Sequence, residues 1–180
     1  ASQCVAQGLL SNVNLTEDAN SGTYALVLTT GEDSIGMPFP AIAFFKNKID
    51  TRPEKVTGYY KDDLKGKDYS SIRVTLTESR GSIGWAVLDI TRSTNIYEHF
   101  EVPLHYYSAS VQPDSFSLII YSSYDLPTSG TTLTLDDLAG HLYDSLRNKI
   151  IPLSDYIIVY PAHGAGSACG KKMSQETSDT

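Results

Sequence analysis

A chain of 180 residues with a net charge of −7 and a pI near 4.9 has room for one substantial core and an appendage, not for two complete domains. The acidic balance argues against nucleic-acid and anionic-membrane partners, which need clustered Lys and Arg to displace counterions. No apolar run approaches the ~18 to 20 residues of a membrane span, and no basic segment followed by an apolar one opens the chain.

The chain begins at Ala1 rather than Met, which reads as a processed secreted product or a trimmed piece, and Ala1-Ser-Gln-Cys4 is a faint hint of a lipid-anchored cysteine. Cys4 and Cys169 stand near opposite ends, and a single pair does not establish a disulfide. Residues 1–22 are polar and Asn/Ser-rich and read as a leader into the first strand, Thr23 to Thr29. Asn14-Leu-Thr16 has the pattern of a glycosylation sequon, which matters only in a eukaryotic secretory pathway.

Gly31 to Pro40 is loop-like, and the apolar run Ala41 to Phe45 predicts a strand. Pro53 leads a strand into Gly58-Tyr59-Tyr60-Lys61, whose period of two puts the paired tyrosines on opposite faces. Ser71 to Thr77 alternates cleanly: Ile72, Val74 and Leu76 share one face, and Arg73, Thr75 and Thr77 the other. Further strands are predicted at Ile83 to Ile90, around Trp85, at Tyr97 to Tyr107, with Pro103 forcing an edge or a bulge, and at Pro113 to Tyr121. Strands recurring about every 10 to 20 residues with turns between them predict an antiparallel β-sandwich.

The period changes at Gly130 to Leu138. Thr131 to Thr134 can finish a sandwich, whereas Thr134-Leu-Asp-Asp137 resembles a helix start, with a hydroxyl for an orphan N–H and carboxylates in the positive first turn. Leu135, Leu138, Ala139, Leu142, Leu146 and Ile150 then fall on one helical stripe. If both the strand and the helix are honoured, Leu133 faces the β-core and Leu135 and Leu138 face an appendage; if one must yield, the helix is expected to survive, since its stripe is the stronger periodic signal. Pro152 ends the helix, Asp155 to Tyr160 reads as a buried strand, and the tail from Gly164 reads as mobile. The division is a sandwich over 1–133 and a helix-strand appendage over 134–180.

Two resemblances accompany these patterns. Arg52-Pro53 leading to Gly58-Tyr59-Tyr60-Lys61, Tyr97-Glu-His-Phe100 to Leu104-His-Tyr106, Pro113-Asp114 before an apolar strand ending Ser122-Ser123, and Gly130 to Leu138 together resemble a carbohydrate metabolism domain family of Bacteroidetes surface proteins. That resemblance covers residues 20–138 and implies a jelly-roll sandwich, but supplies no catalytic motif. From Thr131 onward, Leu135 to Ile150 and Val159-Tyr-Pro-Ala-His163-Gly to Gly170 resemble the C-terminal end of a metallo-β-lactamase-fold hydrolase of the persulfide dioxygenase type. The resemblance implies that His163 lies at a metal-site edge, yet the H-x-H-x-D-H loop and the remaining ligands are missing, so His163 is an orphan candidate and no metal or other cofactor is expected.

The other chemical candidates have plainer readings. His99, Glu101 and His105 share a face if their strand is unbroken, which Pro103 argues against, and His141 lies at the edge of the helical stripe. Gly164-Ala-Gly-Ser167-Ala-Cys169 lacks the strand-turn-helix setting of a nucleophile elbow and the ending of a phosphate loop. Asp62-Asp63 and Asp136-Asp137 are adjacent rather than facing, which suits turns and caps better than glycosidase chemistry. Twelve tyrosines and one tryptophan are more informative, since flat faces can stack on sugar rings while hydroxyls bond them. Tyr59, Tyr60, Trp85, Tyr97 and Tyr106 are the stacking candidates, weighed against ordinary packing between strands. The leading expectation is a non-catalytic, secreted or surface-associated carbohydrate-binding module with a glycan as partner. The alternatives are a fragment of the metallo-hydrolase fold without its metal loop, or an engineered or generated hybrid with no selected function.

Overall fold

A computed structural model describes residues 3–7 and 12–139, with side chains from 12 to 138. The strands are β1 (Gln3–Gln7), β2 (Val13–Thr16), β3 (Ala25–Thr29), β4 (Gly31–Glu32), β5 (Pro38–Phe39), β6 (Ile42–Lys48), β7 (Lys55–Asp63), β8 (Ser70–Glu78), β9 (Gly81–Ile90), β10 (Thr94–Pro103), β11 (His105–Tyr106), β12 (Ser115–Tyr121) and β13 (Thr132–Ala139). A six-stranded sheet runs β1-β6-β12-β8-β9-β11 and packs against a five-stranded sheet, β10-β7-β13-β3-β2, while β4 and β5 form a small ribbon. Every pairing among the described residues is antiparallel. The architecture is the expected jelly-roll-like sandwich.

Alternation builds the core. On β8, Ile72, Val74 and Leu76 point inward, and in register beside them β12 contributes Ile120, Leu118 and Phe116. From the other sheet Leu28, Val56, Phe100, Leu133 and Leu135 meet them. Full burial of side chains such as Phe116 and Leu118 stabilises by roughly 1.5–3 kcal/mol each. The polar first 22 residues, read as a leader, instead supply β1 on one sheet edge and β2 on the other. Their backbone hydrogen bonds, which composition does not reveal, recruit them.

The predicted helix start at Thr134 is overturned. Residues 132–139 form β13, bonded on one side to β3 and on the other to β7. Leu133 and Leu135 both enter the sandwich core, and Leu138 packs against it. The carboxylates expected to cap a helix shape a β-bulge: Asp136 Oδ1 accepts from the Asp137 N–H at 2.7 Å, and Asp137 takes a φ of 48°. Gly58 faces the bulge, where a Cβ would lie 2.8 Å from the Phe100 ring and 3.2 Å from Leu138 Cα. Two ladders and a buried apolar face outweigh the local helical stripe. The remaining part of that helix, the following strand, His141, His163 and Cys169 lie outside the described residues.

Candidate functional site

Each sheet has an outer face, and the stacking candidates are divided between them. Tyr59 and Tyr97 belong to the five-stranded side. The Tyr59 ring meets the His99 ring with centroids 5.1 Å apart. Tyr97 is engaged by the loop between β2 and β3: its hydroxyl donates to Asp18 O at 2.5 Å, Lys61 Nζ lies 4.3 Å from its ring centre, and the same ammonium pairs with Asp18 Oδ2 at 2.5 Å. Burial, with Asp18 and Asp136 nearby, pushes the Tyr97 hydroxyl up to about 12. Asp136 Oδ2 accepts from the Ser21 N–H at 2.7 Å and fastens the same loop. Much of the polar chemistry on this face is therefore spent on holding the loop down.

Two candidates are packing residues. Tyr60 points inward, 8% exposed, with its hydroxyl donating to Glu98 Oε2 at 3.1 Å; burial first, then Glu98, raises its pKa. Tyr106 lies beneath the Arg52 guanidinium, 3.6 Å from ring centre, and donates to Pro53 O at 2.6 Å. Arg52 also donates to Val111 O and Ser108 O, so this group anchors the segment after β11. Pro103 does break the strand: His99 and Glu101 stay on β10, while His105 crosses to the other sheet on β11. These three residues do not share a face. The described residues contain no group of three or more His, Cys, Asp or Glu placed to hold a metal.

The outer face of the six-stranded sheet carries the strongest arrangement. Trp85, 40% exposed, lies beside His105 with ring centroids 4.9 Å apart. Gly84 makes this pairing possible, because a Cβ there would stand 2.9 Å from His105 O and push β11 away. About 13 Å further along β9 is Asp89. Its Oδ1 accepts from Ser71 Oγ at 2.7 Å, and Ser71 Oγ accepts from Arg73 Nε at 3.1 Å. Arg73 also lies 3.7 Å from the centre of the Tyr124 ring. Tyr124 meets Tyr69 at 5.6 Å and Tyr121 edge-on at 5.1 Å.

This aromatic cluster rests on a buried polar girder. After Tyr121 the chain turns inward through Ser122 and Ser123, whose hydroxyls lie 2.8 and 2.5 Å from Thr30 Oγ1. Ser122 also accepts from the Ala41 N–H through Oγ and from Ser70 Oγ through its carbonyl. The Tyr124 N–H then donates to Tyr69 O at 2.9 Å, fixing the two rings side by side. Next to Tyr69, a cleft of about 360 Å³ opens between the β7–β8 and β9–β10 loops, lined by Leu64, Lys67, Arg92 and Ser93 among others. Trp85 was legible in the sequence as a candidate. Tyr121 could have been found by extending the Phe116, Leu118, Ile120 alternation, which turns it outward. Arg73 was legible as outward-facing from the alternation of β8, but Tyr69 and Tyr124 carried no local signal, because the girder brings them together.

The Asp pairs behave differently from each other. Asp63 is exposed and pairs with Lys65 at 2.6 Å. Asp62 points inward, 2% exposed, and neither side-chain oxygen has a hydrogen-bond partner. Burial pushes its carboxyl up to about 7; the nearby Ser70 hydroxyl, whose hydrogen bond goes to Ser122 O, opposes the rise through its dipole, and Asp63 and Asp68 add to it.

An antiparallel β-sandwich is the class defined by this fold, and solved structures share that fold. A candidate glycoside hydrolase from Bacteroides thetaiotaomicron superposes with a TM-score of 0.60 at 15% identity over 71% of this chain and 56% of its own. A candidate glycoside hydrolase from Bacteroides vulgatus gives 0.56 at 17% identity, over 71% and 76%. The carbohydrate-binding module TmCBM61, solved with β-1,4-galactotriose, gives 0.50 at 10% identity, over 77% and 86%. The chain thus spans little more than half of the first of these. No protein-family model matches the sequence, and no curated protein does. The metallo-β-lactamase resemblance finds no support among these comparisons, whereas the jelly-roll fold implied by the other resemblance is the fold observed.

Proposed function

We propose that the chain is a non-catalytic carbohydrate-binding module, secreted or held at the cell surface, that binds a glycan along the outer face of its six-stranded sheet. The observation that carries this reading is the placement of Trp85 at one end of that face and the Tyr69, Tyr121 and Tyr124 cluster at the other, with Arg73 between them and Asp89, held by the buried Ser71 hydroxyl, level with the cluster. Aromatic faces supply stacking area, and the solvent-accessible Arg73 and Asp89 give hydrogen bonds that a sugar's hydroxyls can meet. The spacing along β9 suits a short oligosaccharide rather than a single ring. The sandwich fold shared with TmCBM61 agrees with it, and so does the Bacteroidetes surface-protein resemblance over residues 20–138.

Affinity electrophoresis and a glycan array with the intact chain test the proposal. Trp85→Ala and Tyr124→Ala are each expected to weaken binding at least ~10-fold, the loss of one buried anchor. Tyr60→Phe, which alters the core side of the other sheet, should leave affinity unchanged. No binding across a panel of neutral and acidic glycans, or binding untouched by both alanine substitutions, refutes it.

A further inference from the structure

We propose that the glycan taken by this face is anionic, a polysaccharide bearing carboxylate or sulfate groups; the inference rests on the glycan-binding reading above. The register aligns one row of outward residues across five strands: Lys46 opposite Ser117, Ser117 opposite Thr75, Thr75 opposite Trp85, and Trp85 opposite His105. Lys48 stands one outward position further along β6, opposite Ser115. Trp85 and Lys46 are three strands apart, about 14 Å at the backbone. A ring stacked on Trp85 therefore also starts a path across the strands, at right angles to the one along β9, that passes two hydroxyl side chains and reaches an ammonium group.

The charge on this face is unusual for the molecule. The chain as a whole carries −7. On the five-stranded side, Lys55 pairs with Glu101 at 2.8 Å and Lys61 with Asp18, so those cations are neutralised. On the six-stranded side the carboxylate of Asp89 is already held by Ser71, with Arg73 Nη2 3.9 Å away. Lys46 and Lys48 are both exposed, and among the described residues neither has an ion-pair partner. An acidic protein that leaves two ammonium groups unpaired in line with a stacking tryptophan presents complementary charge to an acidic sugar chain and repels acidic chains elsewhere.

The experiment compares polygalacturonate with its fully methyl-esterified form, and chondroitin sulfate with desulfated chondroitin, by isothermal titration with the intact chain. The expected result is binding to at least one acidic polymer that weakens when its acid groups are masked or removed and as salt is raised. Lys46→Gln with Lys48→Gln should reduce that affinity about fivefold, the loss of two exposed charge contacts, while Trp85→Ala weakens it at least ~10-fold. Preference for the neutral forms, or an unchanged affinity in the double lysine variant, overturns the anionic assignment and leaves the glycan reading standing. Absence of binding to every acidic and neutral polymer overturns both. Equal affinity for double-stranded DNA, retained in Trp85→Ala, would show charge alone at work and also refutes the proposal.

Discussion

Asp62→Asn should change how the stability of this protein responds to pH, and its size follows from the structure. The carboxyl is 2% exposed, its oxygens have no hydrogen-bond partner, and burial lifts it from 3.8 to about 7. In the unfolded chain it ionises near its ordinary value, so between about pH 4 and pH 7 the folded state holds a proton that the unfolded state has released. Stability from this group is thus fully present below about pH 4 and is lost as pH rises through about 7. A displacement of roughly three pH units corresponds to about 4 kcal/mol. Asparagine keeps the shape and removes the ionisation. Urea unfolding followed by far-ultraviolet circular dichroism from pH 4 to pH 8 should show the variant gaining on the parent by about 4 kcal/mol across that range. Any constant offset from the new amide is independent of pH and drops out of the comparison. A difference between the two proteins that stays flat, or that moves against the variant as pH rises, would mean that Asp62 is solvated or partnered and would refute the reasoning.

Three other substitutions probe the elements that set the fold and the candidate face. Gly58→Ala drives a methyl group against the Phe100 ring and the Leu138 backbone at the β13 bulge, and should lower stability by about 1–3 kcal/mol in thermal unfolding. Thr30→Val leaves the Ser122 and Ser123 hydroxyls without their shared partner, a loss of about 1–3 kcal/mol by urea titration, accompanied by a change in the near-ultraviolet signal of Tyr69 and Tyr124. Asp136→Ala removes the acceptor for the Ser21 and Asp137 N–H groups; limited proteolysis should then cut the segment at 17–24 at least several times faster, with stability reduced by about 1–3 kcal/mol. An unchanged cleavage rate would show that Tyr97 and Lys61 hold that loop without it.

Alternation along a strand is a local property, and so the sequence by itself determined the sandwich class, the inward set Ile72, Val74 and Leu76, the opposed faces of Tyr59 and Tyr60, the break at Pro103 and the candidacy of Trp85. Pleating alone, however, does not say which face of a strand meets the other sheet, and only the tertiary structure turned Tyr60 into the core and Trp85 out of it. It also drew β1 and β2 from a segment whose composition suggested a leader, because edge pairing is made by backbone groups that composition does not encode. The sharpest case is Thr134 to Leu138. Its spacing suits a helix and a strand alike, and the decision came from residues far away: β3 and β7 bond its backbone on both sides, Gly58 leaves space for its bulge, and Ser21 occupies the carboxylate of Asp136. A helical stripe satisfies only its own turn hydrogen bonds and buries one side, whereas in this sandwich the same residues complete two ladders and place Leu133 and Leu135 in the core.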